Sequence, residues 1–132
     1  PPYVTTVSPR FPLDLEEKFV RAAKHQGPKL FLGFAAFPTG WLFDPAYTPD
    51  VARLAVECGI WPLKEAVNGE VVHTYFPKLS PVDDYLKLQG RFRHLFEPTL
   101  QKDAIAHIQA GVDGYWERVE KVEQRGPTER TD

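Results

Sequence analysis

Two rhythms of apolar and polar residues alternate along this chain, and prolines mark most of the changes between them. Tyr3-Val4-Thr5-Thr6-Val7 is β-branched and aromatic, which predicts a short strand. Asp14 with Glu17 three residues later has the form of a capping box. It predicts a helix running to about His25 and stopping at Gly27, with Leu15, Phe19, Val20 and Ala23 as its buried stripe. From Lys29 to Phe37 almost every residue is apolar, the pattern of a strand covered on both faces, and so of a parallel sheet carrying helices.

Pro38-Thr39-Gly40-Trp41 then reads as a turn at the carboxyl end of that strand, the end where open parallel sheets usually bind ligands. Thr48-Pro49-Asp50 starts a helix with Val51, Leu54, Ala55 and Val56 along it and Gly59 as its stop. Leu63–Val67 and Glu70–Phe76 flank Asn68-Gly69, the strongest short hairpin signal. Ser80-Pro81-Val82-Asp83 opens a short helix carrying Tyr85 and Leu86 and ending at Gly90. A last helix is expected from near Thr99. Ile105, Ile108, Val112, Tyr115, Trp116, Val119 and Val122 recur at helical spacing as its buried stripe. The stretch from Gln124 to Asp132 has no apolar residue and is expected to fray.

Composition narrows the possibilities. The 132 residues leave room for one domain, and 42% hydrophobic with 26% charged residues is ordinary globular usage. A net charge of -2 lacks the basic footprint of a nucleic-acid or anionic-membrane binder. No run approaches the roughly 18 apolar residues of a membrane span. The start at Pro1-Pro2-Tyr3-Val4 has no signal-peptide pattern, so the expected location is the cytoplasm.

Candidate chemistry is sparse. Cys58 is the single cysteine, which excludes an internal disulfide, a four-thiolate zinc site and an iron-sulfur cluster held by this chain's thiolates alone. It reads as a small buried side chain near a helix end. His25, His73, His94 and His107 show no metal-ligand spacing and read as surface or packing residues. Asp83-Asp84 fits the first turn of a helix, where the helix dipole favours carboxylates. Arg91-Phe92-Arg93-His94 interleaves basic and aromatic residues, as a phosphate contact or an ion-pairing segment inside an assembly does. No Gly-rich phosphate loop and no Gly-x-Ser-x-Gly elbow occurs.

Several blocks are more specific. Pro38-Thr39-Gly40-Trp41, Asp44-Pro45, Ala52–Glu57, Gly59–Leu63 and Tyr85–Leu95 occur in an order and spacing that resembles the carboxy-terminal half of one family. That family is the β subunit of 2-oxoacid:ferredoxin oxidoreductases, the pyruvate synthase group, and the likeness runs from about Tyr3 to Val119. The resemblance implies part of a thiamine diphosphate enzyme that oxidatively decarboxylates a 2-oxoacid onto coenzyme A and passes electrons to ferredoxin or a similar acceptor. It implies an α/β fold, the carboxy-terminal half of a thiamine diphosphate-binding fold with parallel strands and covering helices, followed by a β-hairpin and carboxy-terminal helices. Residues 1–60 would belong to the cofactor-binding domain, 61–123 to an extension, and 124–132 to a flexible tail.

The resemblance places Pro38, Thr39, Gly40 and Trp41 near the cofactor. It also implies that thiamine diphosphate and Mg2+ are held mainly by a Gly-Asp-Gly segment and an asparagine that lie outside this sequence. The chain is therefore expected to be a fragment or a separately encoded part, inactive alone, and the absence of methionine agrees with that. Its partners would be the amino-terminal part of the β subunit and an α subunit. Many members of the family carry an iron-sulfur ligand cysteine just before Pro-Thr-Gly-Trp, where this chain has Phe37. Three possibilities stay open: no cluster, a ligand from another segment, or a different electron path. A non-catalytic structural or assembly module derived from the same fold is the alternative reading. The substrate among 2-oxoacids stays open.

Overall fold

The computed structural model describes residues 1–124 and 126–128; part of the expected tail, residues 125 and 129–132, lies outside the described residues. Strand β1 (Tyr3–Val7) leads into helix α1 (Pro12–Ala23) and strand β2 (Lys29–Gly33), a right-sized parallel crossover. A single-turn helix α2 (Pro38–Trp41), a 3-10 turn at Pro45–Tyr47 and helix α3 (Thr48–Glu57) follow. The hairpin strands are β3 (Lys64–Val67) and β4 (Glu70–His73). Helix α4 (Val82–Leu86), a 3-10 stretch over Gly90–Leu95 and the long helix α5 (Lys102–Glu123) complete the chain. Among the described residues, no helix is long and apolar enough to cross a membrane.

The four strands form one mixed sheet in the order β2-β1-β3-β4. Only β1 and β2 are parallel, and the hairpin inserts antiparallel beside β1. The Asn68-Gly69 turn has φ of 51° and 86°, the left-handed pair that this two-residue hairpin turn requires. The register puts Tyr3, Thr5, Phe31 and Glu65 on one face, where α1 lies: Phe19 stacks on Phe31 with ring centroids 4.4 Å apart, and Arg21 reaches Glu65 at 3.0 Å.

Helix α1 departs from the expected pattern. It starts at Pro12 after Phe11, with no side-chain cap, so the Asp14–Glu17 capping box does not form. Asp14 instead pairs with Lys18 at 2.6 Å, and Lys18, wholly buried, also donates to the Thr6 carbonyl at 2.8 Å. Burial holds the Lys18 ammonium below its ordinary range, with Asp14 acting in the opposite direction. Of the expected buried stripe, Leu15 is half-buried, while Phe19, Val20 and Ala23 are exposed. A polar residue takes the buried position because it can satisfy a carbonyl at the sheet.

Strand β2 is likewise not covered on both faces; it is an edge strand, and Leu30 and Leu32 are each 46% exposed. Cross-strand register aligns Leu30, Val4, Ala66 and Val71 in one apolar row across all four strands, on the face opposite α1. Helix α5 reaches this face at Lys64 and His73. The row itself is left half-buried at Val4 and Ala66 and exposed at Leu30 and Val71.

The main core is built beyond the strands. Phe34, Val51, Ala55, Cys58, Val82, Tyr85, Leu86 and Leu95 form one buried cluster, with Trp41, Phe92, Ile105, Ile108 and Val112 packed on it. Burial raises the Cys58 thiol to about 11, so it behaves as a small apolar residue. Helix α5 buries Trp116 and Val119, but Val122 is 82% exposed and leaves the expected stripe. Ser80 does not cap α4, and its hydroxyl is buried without a partner among the described residues. In the stretch expected to fray, Thr128 exchanges two hydrogen bonds with the Phe76 backbone, at 2.6 and 2.8 Å.

Candidate functional site

Pro38, Thr39, Gly40 and Trp41, expected as a turn, form the single helical turn α2, because Pro38 at its first position supplies a preset φ and no unmet N–H. The chain leaves it through Leu42 in the left-handed region, φ 60°. Thr39 and Gly40 are exposed, and Trp41 is half-buried against Phe34 with centroids 5.6 Å apart. Phe37 precedes this turn, is 57% exposed, and lays its ring over Gly40, where an added Cβ would come within 2.4 Å of it.

The distant block at 85–95 meets this turn directly. The Arg91 guanidinium sits 3.9 Å from the Trp41 ring centroid and 4.5 Å from that of Phe92. It donates to Gln89 Oε1 at 2.7 Å and to the Tyr85 hydroxyl at 3.2 Å, which fixes the plane of the stack. Gly90 N–H donates to the Leu42 carbonyl at 2.7 Å. A Cβ on Gly90 would lie 2.6 Å from Leu42 Cβ, so glycine is what allows the two backbones to approach. Of the basic residues in this block, Arg91 thus stacks inward, while Arg93 and His94 are exposed.

A second polar cluster escaped the sequence reading. His73 is 4% exposed; its Nδ1 lies 2.5 Å from Glu123 Oε2 and its Nε2 lies 2.6 Å from the Tyr115 hydroxyl. Glu123 Oε1 also accepts the His73 backbone N–H at 2.8 Å, closing the edge of β4. Lys64 Nζ, which can only donate, gives a hydrogen bond to Tyr115 Oη at 3.0 Å. The Glu123 carboxylate can only accept, so the neutral imidazole carries its proton on Nδ1, and Nε2 is left to accept the Tyr115 O–H. The available signal was the spacing of Tyr115 and Glu123 on one face of a helix whose stripe already had to meet the hairpin.

Burial lowers the proton affinity of His73, with Glu123 opposing and Lys64 reinforcing that shift. A histidine whose folded-state value lies below the ordinary 6.5 binds protons more weakly folded than unfolded. Its stabilisation is therefore complete above about pH 6.5 and is lost as pH falls toward the lowered value. The urea midpoint is expected to drop between about pH 7 and about pH 5, and His73→Gln to remove that part of the drop. An equal drop in His73→Gln and the parent chain would show that burial of His73 does not lower its proton affinity.

Nothing in the described residues fits a metal centre. No group of three or more His, Cys, Asp or Glu side chains is placed to hold a metal ion. Asp44 accepts the Ala46 N–H at 2.8 Å as a local cap, and Cys58 is sealed in the core. A phenyl ring at 37 offers iron no donor.

The sequence aligns with pyruvate synthase subunit PorB of Methanothermobacter thermautotrophicus at 45% identity over 113 residues, 85% of this chain and 38% of that protein. PorB of Methanosarcina barkeri matches at 42% identity over 113 residues, again 85% and 38%. Ketoisovalerate oxidoreductase subunit VorB of Pyrococcus abyssi matches at 37% over 124 residues, 92% of this chain and 38% of the relative. The chain belongs to this β-subunit family of 2-oxoacid oxidoreductases. It spans well under half the length of the curated relatives it matches. No family model matches the sequence. The structure joins the 38–41 and 85–95 blocks in one aromatic and guanidinium cluster, each supplying half of the same contact.

Proposed function

We propose that this chain is the carboxy-terminal part of the catalytic β subunit of a 2-oxoacid oxidoreductase. It works in the cytoplasm with the remaining segments of that subunit and an α subunit. The observation that carries the reading is the match to PorB and VorB over most of the chain. Two separate apolar surfaces support it, the exposed ends Leu30 and Val71 of the row on one sheet face and Phe19 and Val20 on α1 over the other, because each calls for burial against a neighbour.

The reaction is the oxidative decarboxylation of a 2-oxoacid to its acyl-coenzyme A, with electrons passing to ferredoxin or a similar acceptor. Thiamine diphosphate supplies the electron sink for such chemistry when bound. Among the described residues no three His, Cys, Asp or Glu side chains gather to hold a metal ion, so thiamine diphosphate with its Mg2+ is assigned to other segments of the complex. The share of this chain is positional. Pro38, Thr39, Gly40 and Trp41 wall the strand end beside the cofactor, and Arg91 holds Trp41 rigid.

The test is co-production of the chain with the remaining β segments and the α subunit, followed by assay of coenzyme A-dependent dye reduction with pyruvate and branched-chain 2-oxoacids. Activity in the complex and none in the chain alone is expected. A stable complex inactive with every 2-oxoacid would favour the structural module instead.

A further inference from the structure

A crevice of about 380 Å³ opens directly past the carboxyl ends of β1 and β2, the parallel pair of the sheet. Phe34 N–H donates to the Val7 carbonyl at 2.9 Å, so the ladder continues to the floor of the crevice. From this point the chain leaves β1 toward α1 and leaves β2 toward α2 and α3. Divergent connections past the ends of neighbouring parallel strands leave a gap between them, which is where open α/β sheets take their ligands.

The walls are mostly apolar, Pro9, Phe34, Ala35, Ala36, Pro49 and Ala52; Thr48 also lines it, its hydroxyl donating to the Pro45 carbonyl at 2.7 Å, and the one charge is Arg10. Arg10 is half-buried, and among the described residues its guanidinium makes no ion pair, side-chain hydrogen bond or ring contact. The other arginines near the sheet and the main core have partners: Arg21 has Glu65, Arg53 has Glu57, and Arg91 has Trp41. A planar fork with five donors matches a carboxylate in two parallel hydrogen bonds. The volume lies at the small end of the usual ligand-pocket range of about 300–1,000 Å³. It suits a small organic acid and not a nucleotide-bearing cofactor.

The geometry points to a binding site for a small carboxylate with a compact apolar body, its carboxylate on Arg10 and its body against Phe34, Ala35 and Ala36. Identification of that acid as a 2-oxoacid substrate rests on the function proposed above; the carboxylate site itself does not.

The test is titration of the full chain by amide NMR with 3-methyl-2-oxobutanoate, with isovalerate, with the neutral isovaleramide and with inorganic phosphate. Both acids are expected to give saturable shifts at Arg10, Ala35 and Ala36, and the amide and phosphate none. Arg10→Gln keeps a polar side chain and removes the charge and the guanidinium fork, and it is expected to weaken binding of both acids at least tenfold. Ala35→Leu, on an exposed wall, is expected to abolish binding by filling the crevice with the fold unchanged. Failure of both acids to saturate, equal binding by Arg10→Gln, or equal binding of phosphate would each overturn the site. Binding of both acids by the chain, with an inactive assembled complex, would uphold the site and sink only the oxidoreductase reading.

Discussion

Gly59→Ala is expected to cost roughly 2–5 kcal/mol of stability and to lower the urea midpoint substantially. Gly59 ends α3 at φ 88°, a conformation that costs an alanine about 1–2 kcal/mol. The larger share comes from packing. An added Cβ would fall 2.4 Å from Trp116 Nε1 and 2.8 Å from Leu79 Cδ2, and Trp116 is already held by its hydrogen bond to the Gly59 carbonyl at 3.0 Å. To make room, the indole of α5 must move and surrender that bond, at a further cost of about 1–3 kcal/mol for overpacking. A whole domain of this size has about 5–15 kcal/mol, so the loss is a large fraction of it. The two shares separate experimentally. Trp116→Phe removes the nearest colliding atom, Nε1, so Gly59→Ala is expected to cost less in a Trp116→Phe background than in the parent chain. An equal cost of Gly59→Ala in both backgrounds, by urea unfolding, would show that backbone conformation, not the contact with the Trp116 Nε1, sets it.

Lys18→Ala is expected to destabilise by about 3 kcal/mol, more than a typical surface lysine by a wide margin. The side chain is wholly buried, and its ammonium satisfies both the Thr6 carbonyl and Asp14, whose own side chain is only 13% exposed. Truncation leaves a carbonyl and a carboxylate without a partner in a site water barely reaches, together with a void. Lys18→Met fills the void but still strands Asp14, so it is expected to recover only part of the loss. Lys18→Met combined with Asp14→Leu removes both charges and is expected to regain most of it, since a buried pair is often replaceable by apolar residues of similar volume. If Lys18→Ala unfolds at the same urea concentration as the parent chain, the ion pair does not anchor α1 to β1.

These two sites show what kind of information was readable from the residues. The end of α3 at Gly59 and the turn at Asn68-Gly69 were legible because they are local: a positive φ restricts which residues can sit there, whatever surrounds them. The strand Tyr3–Val7, the hairpin and the long carboxy-terminal helix were legible for a similar reason, since their periodicity runs over many consecutive positions. The motif blocks at 38–41 and 85–95 could be seen as blocks, but not that they touch.

Helix α1 shows where local pattern misled. Asp14 and Glu17 have the spacing of a cap, yet Asp14 faces Lys18 one turn along, and the lysine displaces the apolar stripe from the buried position. Phe19 and Val20 remain apolar and exposed, which a periodicity argument counts as core because it assumes that every apolar stripe finds its partner inside the same chain. The same assumption assigned two covered faces to β2.

Residue identity and short-range backbone preference were enough for the order of the main strands and helices, the hairpin turn, the lack of a thiolate at position 37 and the kinship of the chain, but not for the helical turn at Pro38–Trp41, the 3-10 stretch over Gly90–Leu95 or the end of β2 at Gly33. Long-range packing decided that β3 enters beside β1, that Arg91 lies on Trp41, that His73 joins Tyr115 and Glu123, and that the apolar row is exposed at both ends, Leu30 and Val71. Those outcomes depend on which distant surfaces compete for the same contact. Burial and hydrogen-bond satisfaction across the whole molecule settle that competition, and the spacing of neighbours along the chain does not encode it.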